Sequence, residues 1–165
     1  MATPTTLPAS FTAGQVLTAA QQNGLRGAFR VLQVVQATYA TSTSTTSTSY
    51  VTTGLNATIT PQSTSSKILV MVTVPARNTS SAGAGYFTIF RGTVAGTNLL
   101  GSFGFSGIYG NGLTRATVAS NYLDSPATIS AQTYTIGMKA ESASSAIIAQ
   151  EDSMTSTITL LEISA

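Results

Sequence analysis

The sequence predicts an all-β protein: an antiparallel jelly-roll-like β-sandwich preceded by a short N-terminal extended arm and helix. From Phe29 onward, apolar and polar residues alternate with period two, which is typical of strands with one buried face. Turn-forming residues divide this part of the chain into about ten strands, which favours a jelly roll over a seven-stranded immunoglobulin-type sandwich. We therefore predict two parts, an N-terminal region over 1–28 and a sandwich over 29–165.

The N-terminal region has no core of its own. Pro4 and Pro8 exclude a helix from the first ten residues and favour extended backbone there. Thr18 and Gln21 have the spacing of a capping box, which predicts a short helix over 18–28. So short a helix is marginal alone, and the extended arm has unpaired backbone groups. Both segments therefore need a partner surface.

The predicted strands lie between clear breakers such as Pro61, Pro75 and the Asn-Gly pair at 111–112. The first strand continues from Phe29 to residue 39, and the Ser/Thr-rich run 41–49 that follows is interpreted as a solvated loop or an exposed edge segment. The remaining strands are predicted over 50–53, 56–60, 67–74, 85–92, 98–105, 113–123, 133–140, 146–150 and 155–163.

Two of these strands carry apolar residues on both faces. The strand 67–74 reads KILVMVTV, which predicts a central strand covered on both sides. The strand 155–163 places Leu and Ile on both of its alternating sets. A strand of this kind suits burial between the core and a neighbouring subunit.

Composition excludes most catalytic chemistry. The chain has no His and no Cys, so it has no imidazole base, thiol nucleophile, disulfide or cysteine-based zinc site. Charged residues make up only 7 %, whereas 29 Thr and 21 Ser supply 50 of the 165 residues. The net charge of +2 comes from scattered bases, which form no patch that could grip phosphates. We expect a structural or binding protein with no enzyme activity, no cofactor, no metal and no nucleic-acid partner.

The sequence also predicts no secretory signal and no membrane association. Its first ten residues have neither a basic start nor an apolar run. It contains no stretch of about 18 apolar residues, the length that a membrane-spanning helix needs.

Two acidic motifs are predicted to be turns. Glu151-Asp152 is the only acidic pair, and because adjacent strand residues point to opposite faces it cannot act as a glycosidase pair. In Asp124-Ser125-Pro126 the serine lacks a base, so we predict a turn whose carboxylate accepts backbone N–H groups.

The glycine-rich segment 101–112 is the candidate ligand loop. It carries three aromatic residues, Phe103, Phe105 and Tyr109, among five glycines, and it lacks the Gly-Lys-Ser/Thr of a phosphate loop. Its aromatic side chains either pack against the end of the sandwich or contact sugars or a partner surface. Both interpretations stay open at the level of sequence.

Two segments resemble parts of small virion proteins of tailed bacteriophages, and together they cover roughly a quarter to a third of the chain. The first resembles an opening motif common in phage tail-fibre and accessory proteins, and its matching residues are Phe11, Thr12, Ala13, Gly14, Leu17, Thr18, Ala19, Ala20, Asn23 and Leu25. The second is similar to β-sandwich modules at the ends of such proteins, and it matches at Asp124-Ser125-Pro126, Thr133-Tyr134 and 156–163.

The resemblance implies a homotrimer in the virion, assembled in a bacterial host cytoplasm, with a jelly-roll head and an N-terminal anchor. The head follows the helix with almost no shaft, which favours a capsid decoration (cement) protein or a short head fibre. Its partners would be a major capsid protein or a tail or portal component. The alternative is a tail-fibre or receptor-binding module that contacts a host glycan or protein through the loop 101–112. The predicted attachment residues are Pro4, Leu7, Pro8, Phe11, Leu17 and Leu25.

Overall fold

A computed structural model describes residues 30–79, 83–109 and 114–164, together with Gly14, Val16, Thr18 and Ala19. Within these residues the chain forms eleven strands and one 3₁₀ turn, Glu151–Ser153. The strands are β1 (Val31–Tyr39), β2 (Thr43–Thr45), β3 (Val51–Ile59), β4 (Lys67–Asn78), β5 (Ala84–Arg91), β6 (Thr97–Asn98), β7 (Ser106–Tyr109), β8 (Thr114–Asp124), β9 (Gln132–Ala140), β10 (Ile147–Ala149) and β11 (Ser156–Ile163).

The predicted attachment region lies outside this description. All of the predicted attachment residues fall outside the described residues, and so does the helix over 18–28 apart from Thr18 and Ala19. The anchoring role of this region therefore stays a prediction.

The strands form two antiparallel sheets. In sheet A, β4 pairs with β8 on one side and with both β11 and β10 on the other, and these two pair in turn with β1 and β2. In sheet B the order is β3, β9, β5, with β6 and β7 both paired to the far edge of β5. Each sheet is thus four strand positions wide.

The connectivity is that of a jelly roll. When β1 and β2, β6 and β7, and β10 and β11 are each counted as one interrupted strand, the chain has eight positions. Sheet A then has the order 1-8-3-6 and sheet B the order 2-7-4-5. Two interlocked sheets of four such strands are the jelly-roll arrangement. The predicted antiparallel sandwich is confirmed.

One continuous core lies between the sheets. In β11 burial alternates strictly along the strand, as the period-two pattern predicts. The inward side chains of both sheets meet in a single cluster of aliphatic and aromatic residues. Its largest fully buried members are Tyr134, Phe87, Leu55, Ile59, Ile68, Ile89, Ile136, Met138, Ile147, Ile158 and Leu160.

Two of the predicted strands, 50–53 and 56–60, are one strand, β3, with an irregular register between Thr52 and Asn56. Gly54 lies in this irregularity with φ at 86°. A Cβ atom at Gly54 would lie 2.4 Å from the Tyr39 ring, so only glycine allows this close approach between β3 and β1. The bulge bends the strand without ending it.

Pro75 does not end β4 as predicted. The strand continues through it to Asn78, because Pro75 lies where the neighbouring position of sheet A is interrupted between β10 and β11. The Pro75 carbonyl accepts a hydrogen bond from Gln150 N at 2.8 Å in this interruption. A residue's N–H and C=O point to the same side of a strand, so the missing proline N–H breaks no strand pair.

The prediction of one strand over 98–105 is wrong. Of this range only Asn98 lies in β6, which begins at Thr97, and the chain then forms a loop as far as β7. Gly101 and Gly104 have φ of 77° and 66°, outside the range of extended strands. The Asn98 side chain fixes the turn, since its Oδ1 accepts from Leu100 N at 3.1 Å and its Nδ2 donates to Gly101 O at 2.9 Å.

The Ser/Thr-rich run 41–49 is partly an edge strand. β2 lies within it and pairs with β10 at the border of sheet A. Of the two interpretations of this run, the exposed edge segment applies to β2.

Candidate interaction surfaces

The outer face of sheet A carries a continuous row of aliphatic side chains. Strand register aligns Val34 with Leu161, Leu161 with Leu69, and Leu69 with Leu123, so the row crosses all four positions of the sheet. At the two ends of this apolar row, Val34 is 59 % exposed and Leu123 is 53 % exposed. Such a row on an outer sheet face exposes contiguous apolar surface to water, which is unfavourable.

The next two rows of the outer face are neutral as well. One places Met71, which is 46 % exposed, between Thr159 and Asn121, and the other consists mainly of threonine. A shallow depression of about 320 Å³ lies over these rows. None of the residues in the three rows carries a charge, and they are Val34, Leu161, Leu69, Leu123, Gln36, Thr159, Met71, Asn121, Thr38, Thr157, Thr73 and Ala119.

The one acid in β11 points inward. Glu162 is fully buried, and it accepts hydrogen bonds from Gln33 Nε2 at 2.6 Å and from Gln62 N at 2.7 Å. Burial raises the pKa of Glu162, but hydrogen bonds from Ser66, Gln33 and the backbone of Gln62 and Ser63 outweigh it and leave the pKa below its ordinary value. The charge of β11 is therefore stabilised inside and is absent from the outer face.

A compact ion-pair cluster lies at the other end of sheet A. Arg77 and Arg115 are paired across β4 and β8, and both contact the Glu151 carboxylate, which is buried. Arg115 also lies 3.3 Å from Asp152. The predicted turn at Glu151-Asp152 is present, but sequence reasoning missed that Glu151 bridges two arginines and that the two acids together balance their charge. Because Glu151 lies 74 residues from Arg77 in the sequence, only the fold brings them together.

The prediction for Asp124 is corrected in its partners. Asp124 ends β8 and is buried, but its carboxylate is held by side chains rather than by backbone N–H groups. Arg91 lies 3.2 Å from Oδ2, and the Tyr134 hydroxyl donates to the same oxygen at 2.8 Å. Burial and this hydrogen bond raise the pKa of Tyr134. The trio links the two sheets, so its role is structural.

The outer face of sheet B is covered with aromatic residues. Tyr86 and Phe90 point outward from β5 and are nearly buried, beneath Tyr50 and the loop between β6 and β7. Lys139 of β9 stands among these rings, with Nζ 4.8 Å from the centroid of Tyr50 and 5.6 Å from those of Tyr86 and Phe103. Burial raises the pKa of Tyr50 to about 12.

The predicted ligand loop divides between surface and core. Phe103 is 68 % exposed and Tyr109 is 69 % exposed, whereas Phe105 is half-buried and packs against the core. A hydrogen bond with Tyr109, followed by burial and contact with Glu141, raises the pKa of Tyr86. The loop therefore presents Phe103 and Tyr109 beside Tyr86, and Phe105 has a packing role.

No group of three or more acids or other metal-ligating residues comes together in the part of the chain that the structure covers. None of the helices found there has the length and apolar character to cross a membrane.

No family model and no curated protein matches the sequence. Solved structures of infectious bursal disease virus are similar in chain path. A structure of the Gx strain matches with a TM-score of 0.42 and 10 % identity over 80 % of this chain and 37 % of the viral one. A mutant VP2 protein in T=1 particles has a TM-score of 0.39 and 11 % identity, with coverage of 81 % and 36 %. A VP2 subviral particle has a TM-score of 0.34 and 11 % identity, with coverage of 79 % and 39 %. The chain thus spans well under half the length of these proteins.

Proposed function

We propose that this protein is a structural virion protein of a tailed bacteriophage, a homotrimer that decorates the capsid as a cement protein. Residues 1–28 attach it to a major capsid protein, and the jelly roll forms the exposed head. The observation that carries the proposal is the neutral outer face of sheet A, on which four aliphatic side chains align across the whole sheet. The role is structural, because the chain lacks the His and Cys that most catalytic sites use.

The size and chemistry of this face suit a protein contact. β4 has 12 residues, so the face is about 40 Å long, and four strand positions make it about 15–20 Å wide. The whole face is therefore roughly 700 Å², close to the ~800 Å² that each partner contributes to a standard interface, and the three uncharged rows, which span about 20 Å of strand, make up roughly half of it. Burying charge without a partner is costly, and the three rows carry none. Association therefore removes apolar surface from water without stranding an ion.

The occupant that we propose is a second copy of this chain. The face is flanked by bases, with Lys67 at one end and Arg77 and Arg115 at the other, but both arginines already form ion pairs with Glu151 and Asp152. An interface of this kind resembles the apolar contacts of obligate oligomers more than a charged, transient one. The resemblance of the N-terminal segment to phage virion proteins supports closure into a ring of three.

The first experiment is Leu123→Lys, which introduces a charge at the exposed end of the apolar row. We expect the wild-type protein to sediment as a trimer at micromolar concentration and the variant to sediment as a monomer with an unchanged far-ultraviolet circular dichroism spectrum. Ile129→Lys is the matched control, because Ile129 is 60 % exposed but lies outside both sheets. A wild-type monomer, or a Leu123→Lys trimer, contradicts assembly through this face.

The second experiment tests attachment. Deleting residues 2–14 should leave the folded trimer intact and abolish its incorporation into particles, because the sequence predicts an arm there that has no core of its own and needs a partner surface. Copurification with virions, measured against the full chain, gives the result. Equal incorporation of the truncated protein would place the anchor on the sandwich instead.

A further inference from the structure

Lys139 is a cation held among aromatic rings on the outer face of sheet B. It is opposite Tyr86 in the register between β5 and β9, and its Nζ lies within 6 Å of three ring centroids, Tyr50, Tyr86 and Phe103. Such contacts fix the position of an ammonium group without neutralising its charge.

No acid among the described residues neutralises this cation. The Lys139 ammonium group forms no hydrogen bond with the described residues, and none of their carboxylates comes within 4 Å of Nζ. Glu141, two residues along the chain, is already occupied, because it accepts from Ala84 N at 2.9 Å and from the Tyr86 hydroxyl at 3.1 Å. The positive charge therefore remains available to an anion from outside.

A shallow cavity of about 420 Å³, wide open to solvent, lies next to Lys139. This volume lies within the range of small-molecule sites, roughly 300–1,000 Å³. Its walls combine aromatic rings with side-chain hydroxyls and an amide, which come from Tyr50, Phe90, Thr48, Ser49, Ser102 and Asn98. Rings that stack on an apolar face, together with hydroxyls that exchange hydrogen bonds, are the surroundings that a sugar ring needs.

The loop that borders the cavity is held in place by the backbone. Phe105 N donates to Phe87 O at 2.8 Å, and the Tyr50 hydroxyl donates to Ser102 O at 3.1 Å. Gly104 lets the loop approach this closely, since a Cβ there would lie 1.8 Å from Phe87 O. Phe103 is thus presented to solvent beside Lys139 on a fixed support, which lowers the ordering cost of binding.

We propose that this cavity binds a saccharide that carries a carboxylate, such as a hexuronic acid residue of an acidic polysaccharide. The carboxylate pairs with Lys139 Nζ, the apolar face of the ring stacks on Phe103 or Tyr50, and the sugar hydroxyls exchange hydrogen bonds with Thr48, Ser49 and Ser102. The site lies on the sheet opposite the proposed subunit contact and does not depend on it.

The test is titration of the full-length protein, followed by nuclear magnetic resonance and calorimetry, with three probes: a hexasaccharide containing glucuronate, a neutral malto-hexasaccharide and sodium acetate. We expect the acidic hexasaccharide to bind about tenfold more tightly than the neutral one, a difference of about 1.4 kcal/mol, because it adds one charge-assisted hydrogen bond. Acetate alone should bind more weakly still, because it lacks the ring that stacks.

Two variants localise the effect. Lys139→Gln should remove the preference for the acidic sugar, whereas Lys139→Arg should keep it and guards against a simple folding defect. Lys67→Gln is the matched control, since its ammonium group donates to Ser125 outside the cavity. Equal binding of acidic and neutral sugars, binding of acetate as tight as that of the hexasaccharide, or an unchanged preference in Lys139→Gln would each overturn the proposal. None of these outcomes bears on whether the protein is a trimer.

Discussion

The outer faces of the two sheets differ in how far other residues of the chain cover them. Sheet B is covered by its own chain, so that Phe90 is only 4 % exposed although it points away from the core. None of the described loops covers the outer face of sheet A, and Met71, which points outward from β4, is 46 % exposed. One face is thus covered by residues of the same chain, while the other exposes an apolar, uncharged surface.

The difference originates in the length of the connections. The loop between β6 and β7 and the residues before β3 supply Phe103 and Tyr50, which fold over β5 and β9. Sheet A has no comparable loop among the described residues, since its outer rows consist of strand residues alone. In this fold, burial of an outward side chain depends on the loops and not on the strand that carries it.

The largest expected effect contrasts Phe90→Ala with Met71→Ala. Phe90 packs on Gly137 and lies edge-to-face with Tyr50 at 5.5 Å, so truncation leaves a cavity and should cost about 3 kcal/mol of unfolding free energy. Met71→Ala should cost less than about 1 kcal/mol in the isolated subunit, because its side chain is half in water already. Urea denaturation followed by circular dichroism measures both.

Protein concentration sharpens this contrast. If sheet A meets a second copy, the effect of Met71→Ala should grow as concentration rises, whereas the effect of Phe90→Ala should stay constant. If the two variants lost equal unfolding free energy at low concentration, the two outer faces would be equally buried, which would contradict the comparison.

A second prediction concerns Glu162, the acid of β11 whose side chain points inward and is buried. Glu162→Gln should lower the unfolding free energy by about 2 kcal/mol at pH 7, since the buried carboxylate accepts charge-assisted hydrogen bonds. The pKa of Glu162 is lowered by folding, so its stabilisation is complete above the ordinary value of 4.5 and is lost as the pH falls through the lower, folded-state pKa. The difference between variant and wild type should therefore shrink in acid.

Unfolding curves recorded from pH 7 to pH 3 provide the measurement. Asp152→Asn serves as the control, because this carboxylate is exposed and its substitution should change stability by less than about 0.5 kcal/mol. A gap between Glu162→Gln and wild type that stays constant down to pH 3 would show that the charge of Glu162 does not contribute.

The sequence predicts the sandwich well because alternation is a local property. The apolar pattern of 67–74 locates the central strand β4, and the two-sided pattern of 155–163 indicates a strand with an apolar outer face. The run of Ser and Thr in 41–49 likewise marks the edge of a sheet.

The rest depends on contacts between distant residues. Proline disrupts most strands. Pro75 is tolerated within β4 because the neighbouring strand position is interrupted between β10 and β11, and only the folded sheet shows this interruption. Lys139 has no sequence motif around it, and its significance comes from Tyr50 and Phe103, which reach it from other segments. Of the predicted ligand loop, Phe103 and Tyr109 face the surface, and Phe105 does not. Glycine content predicts a loop, but it does not predict which aromatic side chains of that loop are exposed.

The smallest expected effect concerns the charged corner of sheet A, the ion-pair cluster of Arg77, Arg115, Glu151 and Asp152 that borders the neutral rows. In the turn after β10, Gln150, Asp152 and Ser153 all have left-handed φ, between 53° and 60°. Such a conformation costs a residue with a Cβ about 1–2 kcal/mol, and glycine adopts it freely. Ser153→Gly should therefore stabilise the protein by about 0.5 kcal/mol, after the greater entropy of glycine in the unfolded chain is deducted.

Asp152→Gly relieves the same backbone strain but also removes the contact with Arg115 at 3.3 Å. The difference between the two glycine variants in urea denaturation thus isolates the contribution of an exposed ion pair, which we expect to be below about 1 kcal/mol. A loss of stability in Ser153→Gly would mean that the turn gains more from its serine than from relief of strain. Side-chain contacts would then contribute more to the stability of this turn than its backbone conformation does.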